Sequence, residues 1–390
     1  MPLSGRRTGR TPRARGPAGG PAVRGSGCGW TPGGWDWSSL GYFLSTMRPN
    51  FTRTVTIAAA IGAAILAAVA YVTPGSGDSS AKTPESESSV PPAAEEDDLL
   101  QRVTRFTSEF GTTGGYRPPG PAERTALVDA VSPLFDGNAE DARTRLAELD
   151  YALDTFTDKA SGRRFAEVSD AAARRGSANR GWGRVYMELG TPPRWSVQVP
   201  HPVADRDTER LGVKVLRGAP GGVMVLAGAH RKAGEDSVDE GSEDPGVGDA
   251  ADMAHRTDSV FHSVIAELTR RGLPGIQLHG FADDSIPGTD SVVSTGAGET
   301  AVKDAGLLAG KLRDRNVKVC RAWTNHCKLS GQTNKQGRLA AEQDTRFLHV
   351  ELSRSVRASA RRMTGAAEAI TVVTTGWSKA QSQSQSQSLP

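Results

Sequence analysis

The chain has 390 residues, with 47 basic and 44 acidic side chains and a formal net charge of +3. Because the charges nearly balance, the chain as a whole has no strong electrostatic attraction to nucleic acid. Its length suits one large domain or two small ones. Six arginines cluster before residue 47 among Gly and Pro, a composition typical of disorder. We therefore predict a disordered basic leader at 1–46 and no nucleic-acid partner.

The segment that follows the leader predicts export. A short basic region at the start of residues 47–73 precedes the uncharged stretch 55–72, which ends in Ala68-Val69-Ala70. Small residues at these positions fit a signal-peptidase site, and Met47 would then be the start codon. The stretch also just reaches the length of a membrane span. The protein is thus predicted to be secreted, or membrane-anchored through 55–72 if that segment is uncleaved, and in both cases extracytoplasmic.

Composition also divides the rest of the chain. Residues 74–98 are rich in Ser, Pro, Glu and Asp and predict a disordered linker, and the Gln-Ser repeat at 378–390 predicts a low-complexity tail. The catalytic domain is expected at 99–377. Cys320 and Cys327 lie seven residues apart, and in an exported chain they predict a disulfide rather than ligands of a structural metal.

Apolar spacing within 99–377 predicts helices first and then an alternating pattern. The helices are expected at 99–110, 123–135 and 139–149, and short strands follow at 151–156, 164–168 and 182–188. From Trp195 onward strands alternate with helices, with strands at 196–199, 222–228, 275–278, 317–319 and 347–352 and helices at 259–271 and 299–315. This predicts an α/β fold, a mixed and mainly parallel sheet with helices on both faces, preceded by a small helical segment.

Polar residues at or near the downstream ends of predicted strands point to one-metal hydrolytic chemistry; they are His201, His230, His279 and Glu351. His201 and Asp205 follow the first of these strands, His279 ends another, and Glu351 lies within the last apolar strand. Two imidazoles and a carboxylate make a three-ligand zinc site with a position left for water. A carboxylate in an apolar strand is costly unless it is paired or functional, and burial suits it as a general base.

Other ligand sets remain open at this stage. Glu209 is an alternative to Asp205 as the carboxylate ligand. A competing set draws on His230, Asp252 and His255, with His262 seven residues further on, and the same residues are also candidates for orienting the ligands.

The motifs around these residues resemble a known superfamily. Pro200-His201-Pro202 with Asp205 and Thr208-Glu209, then Leu278-His279-Gly280, Asn334 to Arg338, and Val350-Glu351-Leu352-Ser353 with Arg357 resemble poly-γ-glutamate hydrolase and N-formylglutamate amidohydrolase-like zinc enzymes, distant relatives of zinc carboxypeptidases. The resemblance covers 195–357. It implies a carboxypeptidase-like fold, Zn²⁺ on His201 and His279, and Glu351 as the base. The His-to-Asp segment departs from the glycine-rich His-to-Glu segment of the poly-γ-glutamate enzymes, which leaves the substrate class open.

The resemblance also implies a set of substrate-binding residues. Asn334 and Arg338 are expected to hold a substrate carboxylate or carbonyl, with Arg354 and Arg357 as further candidates, because a guanidinium binds a carboxylate in two places. The sequence thus predicts an exported zinc-dependent amidohydrolase or peptidase that cleaves an amide bond in an acidic, γ-glutamyl or cell-wall peptide. The alternative is a non-catalytic, surface-tethered binding protein on a degenerate hydrolase fold.

Overall fold

The computed structural model describes residues 95–172, 179–234 and 249–387, all within one compact unit, Ser86–Pro390. The predicted leader at 1–46, the predicted export segment at 47–73 and residues 74–94 of the predicted linker lie outside the described residues. Within the described ranges, no helix is both long enough and apolar enough to cross a membrane.

Ten strands of the described residues form one mixed sheet in the order β1-β2-β3-β4-β6-β5-β7-β10-β8-β9. The central strands β6, β5, β7 and β10 run parallel, and antiparallel pairs join β4 to β6 and β8 to β10. The strands are β1 (Glu95–Asp97), β2 (Tyr151–Asp158), β3 (Arg164–Asp170), β4 (Arg184–Glu188), β5 (Trp195–Val199), β6 (Gly222–Leu226), β7 (Gly275–Phe281), β8 (Ser291–Ser294), β9 (Val319–Arg321) and β10 (Phe347–Ser353).

Helices cover both faces of this sheet, as the sequence predicted for an α/β fold. One apolar cluster joins α1, α4, α6 and α9 to one face, and a second joins α2, α3 and α5 to the other. The helices are α1 (Leu99–Thr107), α2 (Pro121–Phe135), α3 (Ala139–Glu148), α4 (Thr208–Gly218), α5 (Val260–Arg270), α6 (Val302–Arg313), α7 (Lys335–Glu342), α8 (Arg354–Ala358) and α9 (Ala360–Gln387).

The chain changes direction across the sheet at β5. From β5 it passes through α4 to β6 on one side, and from β6 it returns through α5 to β7 on the other side of β5. Because α4 and α5 pack on opposite faces, a crevice opens beyond the carboxyl ends of β5 and β7, the usual ligand site of open α/β sheets.

Alternation along the central strands separates an apolar layer from a polar one. In β10, Leu348, Val350 and Leu352 join the apolar cluster of α4 and α9, whereas His349 and Glu351 alternate with them and belong to neither apolar cluster. Since side chains of a strand point alternately to opposite faces, the buried polar residues gather on one face at the crevice.

The structure extends the folded part beyond the predicted bounds. Residues 95–97, assigned to the linker by composition, pair with β2, and Asp98 accepts a hydrogen bond from Gln101 N as the N-cap of α1. The predicted tail from residue 378 continues α9 to Gln387, and Gln381 Nε2 donates to Gly272 O at 3.2 Å. The predicted Cys320–Cys327 disulfide is confirmed.

Candidate metal centre

The loop that follows β5 carries the first two predicted ligands. Asp205 N donates to His201 O at 2.9 Å, which closes a tight turn and directs both side chains toward the crevice. Val203, between them, has a φ of 69°, and a β-branched residue is a genuine outlier in this left-handed region. Strain of this kind persists only where surrounding contacts hold it, and it is common at functional sites.

Asp205 lies between the two imidazoles. Its Oδ2 atom is 3.3 Å from His201 Nδ1 and 3.5 Å from His279 Nδ1, and it accepts a hydrogen bond from Gly280 N at 3.1 Å. Ligands about 2.0–2.1 Å from a tetrahedral zinc ion are separated from one another by about 3.3–3.4 Å. The two separations at Asp205 therefore match edges of a zinc tetrahedron, and the three predicted ligands, whose ligand atoms all lie within 4.8 Å of one another, form one of the two metal-capable groups found in the described residues.

The second nitrogen of His201 faces another carboxylate. His201 Nε2 lies 2.7 Å from Asp252 Oδ1, and Asp252 also pairs with Arg231 and with His255 Nδ1 at 3.2 Å. Burial alone would lower the pKa of His201, but its hydrogen bonds to Asp205 and Asp252 raise it to about 9. The same contacts outweigh desolvation and hold the pKa of Asp205 and of Asp252 well below the ordinary value. Asp252 thus orients His201, the usual role of a carboxylate behind a metal-binding histidine.

His279 is oriented in the same manner by an amide. His279 Nε2 lies 2.7 Å from Gln277 Oε1, two residues earlier on β7, so Nδ1 is the atom turned toward Asp205. Burial lowers the pKa of His279, which favours the neutral ring that binds metal. Both histidines therefore present Nδ1 to the same point.

Glu351 is delivered by the pairing of β10 with β7, in which it lies directly beside His279. Its side chain is buried, and Oε2 has no hydrogen-bond partner in the described structure. Burial, and next the charge of nearby Asp205, raise the pKa of Glu351 to about 8. A carboxyl group with a pKa of about 8 can both accept and donate a proton near neutral pH.

Sequence reasoning did not assign a role to His349, which the structure places at the same site. Its ring stacks on His279 with centroids 4.5 Å apart, and its Nδ1 is buried without a hydrogen-bond partner. His279, His349 and Glu351 form the second metal-capable group, but both groups need His279. Because Gln277 occupies Nε2 of that ring, only Nδ1 is available, and the two groups would compete for it.

A cavity of about 370 Å³ opens at this centre, with Asp205, His279 and Glu351 in its wall. Two further charged residues line it, and both are cations, Arg231 and Lys328. Only weak signals in the sequence mark these two residues: Arg231 follows the candidate His230, and Lys328 follows Cys327, whose disulfide closes the preceding loop.

The four predicted substrate-binding residues have other contacts, and none of them lines this cavity. Asn334 is the N-cap of α7, Arg338 is exposed and donates to Gln332 O, and Arg354 pairs with Asp207. Arg357 is buried and donates to backbone carbonyls, including those of Phe281 and Leu352 at 3.0 Å. Arg231 and Lys328, rather than these four, are the basic residues in the wall of this cavity.

The alternative ligands are likewise outside both metal-capable groups. His230 accepts from Lys232 N at 3.2 Å, and Glu209 is buried in the first turn of α4, where burial raises its pKa. Asp252 and His255 lie behind His201, and His262 Nδ1 contacts Gln336.

No protein-family model matches the chain, and no curated protein matches it significantly. Among solved structures, it is similar to a bacteriophage poly-gamma-glutamate hydrolase, at 14% identity and a TM-score of 0.32 over 47% of this chain and 84% of that one. It is also similar to zinc-free YNDL, at 14% identity and 0.31 over 50% and 89%, and to a metallo-carboxypeptidase from Burkholderia cenocepacia, at 10% identity and 0.32 over 68% and 71%. These values describe a remote likeness.

Proposed function

We propose that the protein is a zinc-dependent amidohydrolase, with the ion held by Nδ1 of His201, Nδ1 of His279 and Oδ2 of Asp205. The observation that carries this proposal is the pair of 3.3 and 3.5 Å separations between these nitrogens and this oxygen. Three ligands leave a fourth position open, as catalytic zinc sites do. When bound, zinc supplies Lewis-acid chemistry, in which it polarises a substrate carbonyl and lowers the pKa of water.

Glu351 is the general base in this proposal. It pairs beside His279 and lines the cavity at this centre, and its unpaired Oε2 is free to accept a proton from the attacking water. The protonated carboxyl group then donates that proton to the leaving amine. A pKa near the working pH serves both transfers.

The cavity favours an acidic substrate. Arg231 and Lys328 are the charged residues of its wall other than Asp205 and Glu351. Arg231 already pairs with Asp252, whereas Lys328 is exposed and has no ion-pair partner among the described residues. We therefore assign Lys328 to a carboxylate of the substrate and take a γ-glutamyl polymer or an acidic cell-wall peptide as the substrate class.

The site of action in this proposal is outside the cytoplasm. The Cys320–Cys327 disulfide supports it, because such bonds persist in oxidising compartments. The leader, the export segment at 47–73 and the linker complete the proposed arrangement, in which the protein is secreted or anchored through 55–72 and has no nucleic-acid partner.

Metal analysis and a hydrolysis assay on the purified full chain test the enzyme proposal together. We expect one zinc per chain, hydrolysis of poly-γ-glutamate or a γ-glutamyl peptide, loss of both on chelation, and recovery on adding zinc. His201→Ala should lose both, and His326→Ala, in the disulfide loop and outside both metal-capable groups, should lose neither. Full activity in the presence of chelator would refute the proposal. The absence of both stoichiometric zinc and hydrolysis would favour the non-catalytic binding protein.

The substrate proposal predicts a charge-specific effect at Lys328. We expect Lys328→Ala to raise the KM for an acidic peptide about tenfold, since a charge-assisted hydrogen bond contributes about 1.5–3 kcal/mol and a factor of ten corresponds to about 1.4 kcal/mol. Hydrolysis of the matching amide-capped peptide should not change. Lys303→Ala, exposed on α6 and absent from the cavity wall, is the control. An equal effect on both peptides would remove Lys328 from carboxylate recognition.

A further inference from the structure

A chain of buried amide side chains lies behind His279, on the polar face of the central strands. Gln277 Nε2 donates to Gln198 Oε1 and to Gln336 Oε1, both at 3.1 Å. Gln277 Oε1 accepts from Asn334 Nδ2 and faces His279 Nε2 at 2.7 Å. All four amide side chains are at most 2% exposed, so no solvent competes for these groups. Both hydrogens and both lone pairs of the Gln277 amide are thereby used.

A backbone carbonyl at Gln336 determines which way the amide groups of this hydrogen-bonded series face. Gln336 Nε2 lies 2.9 Å from Met253 O. A carbonyl oxygen only accepts, so the nitrogen of the Gln336 amide must face it, and the oxygen must face Gln277. Gln277 therefore turns its own nitrogen toward Gln336.

A second backbone group sets the same direction independently at Asn334. Gly337 N donates to Asn334 Oδ1 at 2.9 Å, the N-cap bond of α7. A backbone N–H only donates, so the oxygen of Asn334 is fixed there and its nitrogen faces Gln277. Gln277 must then present its oxygen toward Asn334, which agrees with the direction set at Gln336. If the Gln277 amide were reversed, its nitrogen would face the nitrogen of Asn334 and its oxygen would face the oxygen of Gln336. These buried groups would then lose their hydrogen bonds.

From this geometry we propose that Gln277, held in one orientation by Asn334 and Gln336, selects the Nε2–H tautomer of His279 and is a positioning residue for the metal centre. The Gln277 oxygen at Nε2 and the Asp205 carboxylate at Nδ1 both only accept, but the first is 2.7 Å from its nitrogen and the second 3.5 Å, so the single proton of the neutral ring is on Nε2 and the lone pair is on Nδ1. This is the atom turned toward Asp205. The inference rests on the proposed metal site for its purpose, although the tautomer itself does not require a metal.

Nitrogen NMR of the histidine side chains in the metal-free full chain tests the tautomer directly. We expect His279 in the unsubstituted protein to show a protonated Nε2 and an unprotonated Nδ1. A protonated Nδ1 in neutral His279 would overturn the proposal, whatever the protein does with zinc or substrate. If the tautomer is as expected and no zinc binds, the proposed function fails and the positioning role of Gln277 stands.

Substitution of Gln277 tests whether the amide causes the preference. In Gln277→Leu we expect neutral His279 to gain the Nδ1–H tautomer, because Asp205 is then the only acceptor beside the ring, and a zinc dissociation constant 10–100-fold higher, measured by chelator competition, the usual effect of losing a group that orients a ligand. Leu278→Val, on the opposite face of the same strand, controls for perturbation of β7 and should keep the single tautomer. If Gln277→Leu keeps the single Nε2–H tautomer of His279, or if Leu278→Val loses that tautomer to the same extent, Gln277 does not select the tautomer. Should Gln277→Leu fail to fold, the spectrum of the unsubstituted protein decides alone.

Discussion

Glu351, the proposed general base, lowers the stability of the folded protein because it is buried. Its pKa is 4.5 when unperturbed and about 8 in the folded protein, mainly because of burial. Between these values the folded state binds the proton more tightly than the unfolded state does. The stabilisation from protonated Glu351 is therefore complete below about pH 4.5 and is lost as the pH rises through 8.

Replacing Glu351 with glutamine should consequently stabilise the metal-free protein while it removes activity. One pKa unit corresponds to about 1.4 kcal/mol, so at pH 8 we expect Glu351→Gln to raise the free energy of unfolding by on the order of 3 kcal/mol, with little change at pH 5. Hydrolysis should fall by about 10²–10⁴-fold. Urea unfolding at the two pH values measures the first effect. Glu342→Gln, exposed on α7, is the control, and an equal effect of Glu351→Gln at both pH values would contradict this account.

At the scale of elements, Arg357 joins the ligand loop to the ends of β7 and β10. Its guanidinium donates to Leu352 O and Phe281 O at 3.0 Å and also to Asp205 O, so one buried side chain holds three backbone segments together. Gly280 makes room for it, because a Cβ at that position would lie 2.2 Å from Arg357 Cζ. The geometry of the metal centre thus depends on the absence of a side chain in β7.

Gly280→Ala should therefore damage the site through Arg357. We expect a loss of stability of about 1–3 kcal/mol from overpacking, together with weaker zinc binding as Asp205 shifts. Gly306→Ala is the matched control, since its Cβ would meet no atom within 4 Å in the middle of α6 and should stabilise by about 0.5–1 kcal/mol. Thermal melts and chelator competition on both variants measure the two effects. Unchanged zinc binding in Gly280→Ala would show that the ligand loop is held by other contacts.

The elements also show which predictions a sequence supports. His201, Asp205, His279 and Glu351 could be chosen because strand ends are recognisable locally, and parallel strands bring their ends to one edge of a sheet. The role of Asn334 could not be predicted in this way, because its amide caps α7 and meets Gln277, and both contacts exist only after folding. For the same reason the place of Lys328 in the cavity wall could not be predicted, because it follows a disulfide-closed loop in a segment with no apolar pattern.

At the scale of the molecule, the sheet gathers four of the seven histidines of the chain around two buried carboxylates. These are His201, His255, His279 and His349, with Asp205 and Asp252 between them. Before metal binds, the pKa of about 9 at His201 keeps one proton between the carboxylates near neutral pH. That proton partly balances their charge, and the ion must displace it.

Zinc should therefore stabilise the whole protein more strongly as the pH rises. Below pH 9, binding releases the proton of His201, so at fixed free zinc well above the dissociation constant the stabilisation grows by about 1.4 kcal/mol per pH unit. Between pH 6 and pH 8 we expect about 2.7 kcal/mol more stabilisation. Calorimetric melts in a zinc buffer that holds free metal constant measure this difference. His326→Ala should keep the dependence, because His326 is outside both metal-capable groups. A zinc-induced shift that is equal at pH 6 and pH 8 would mean that no proton is displaced and that His201 is not a ligand.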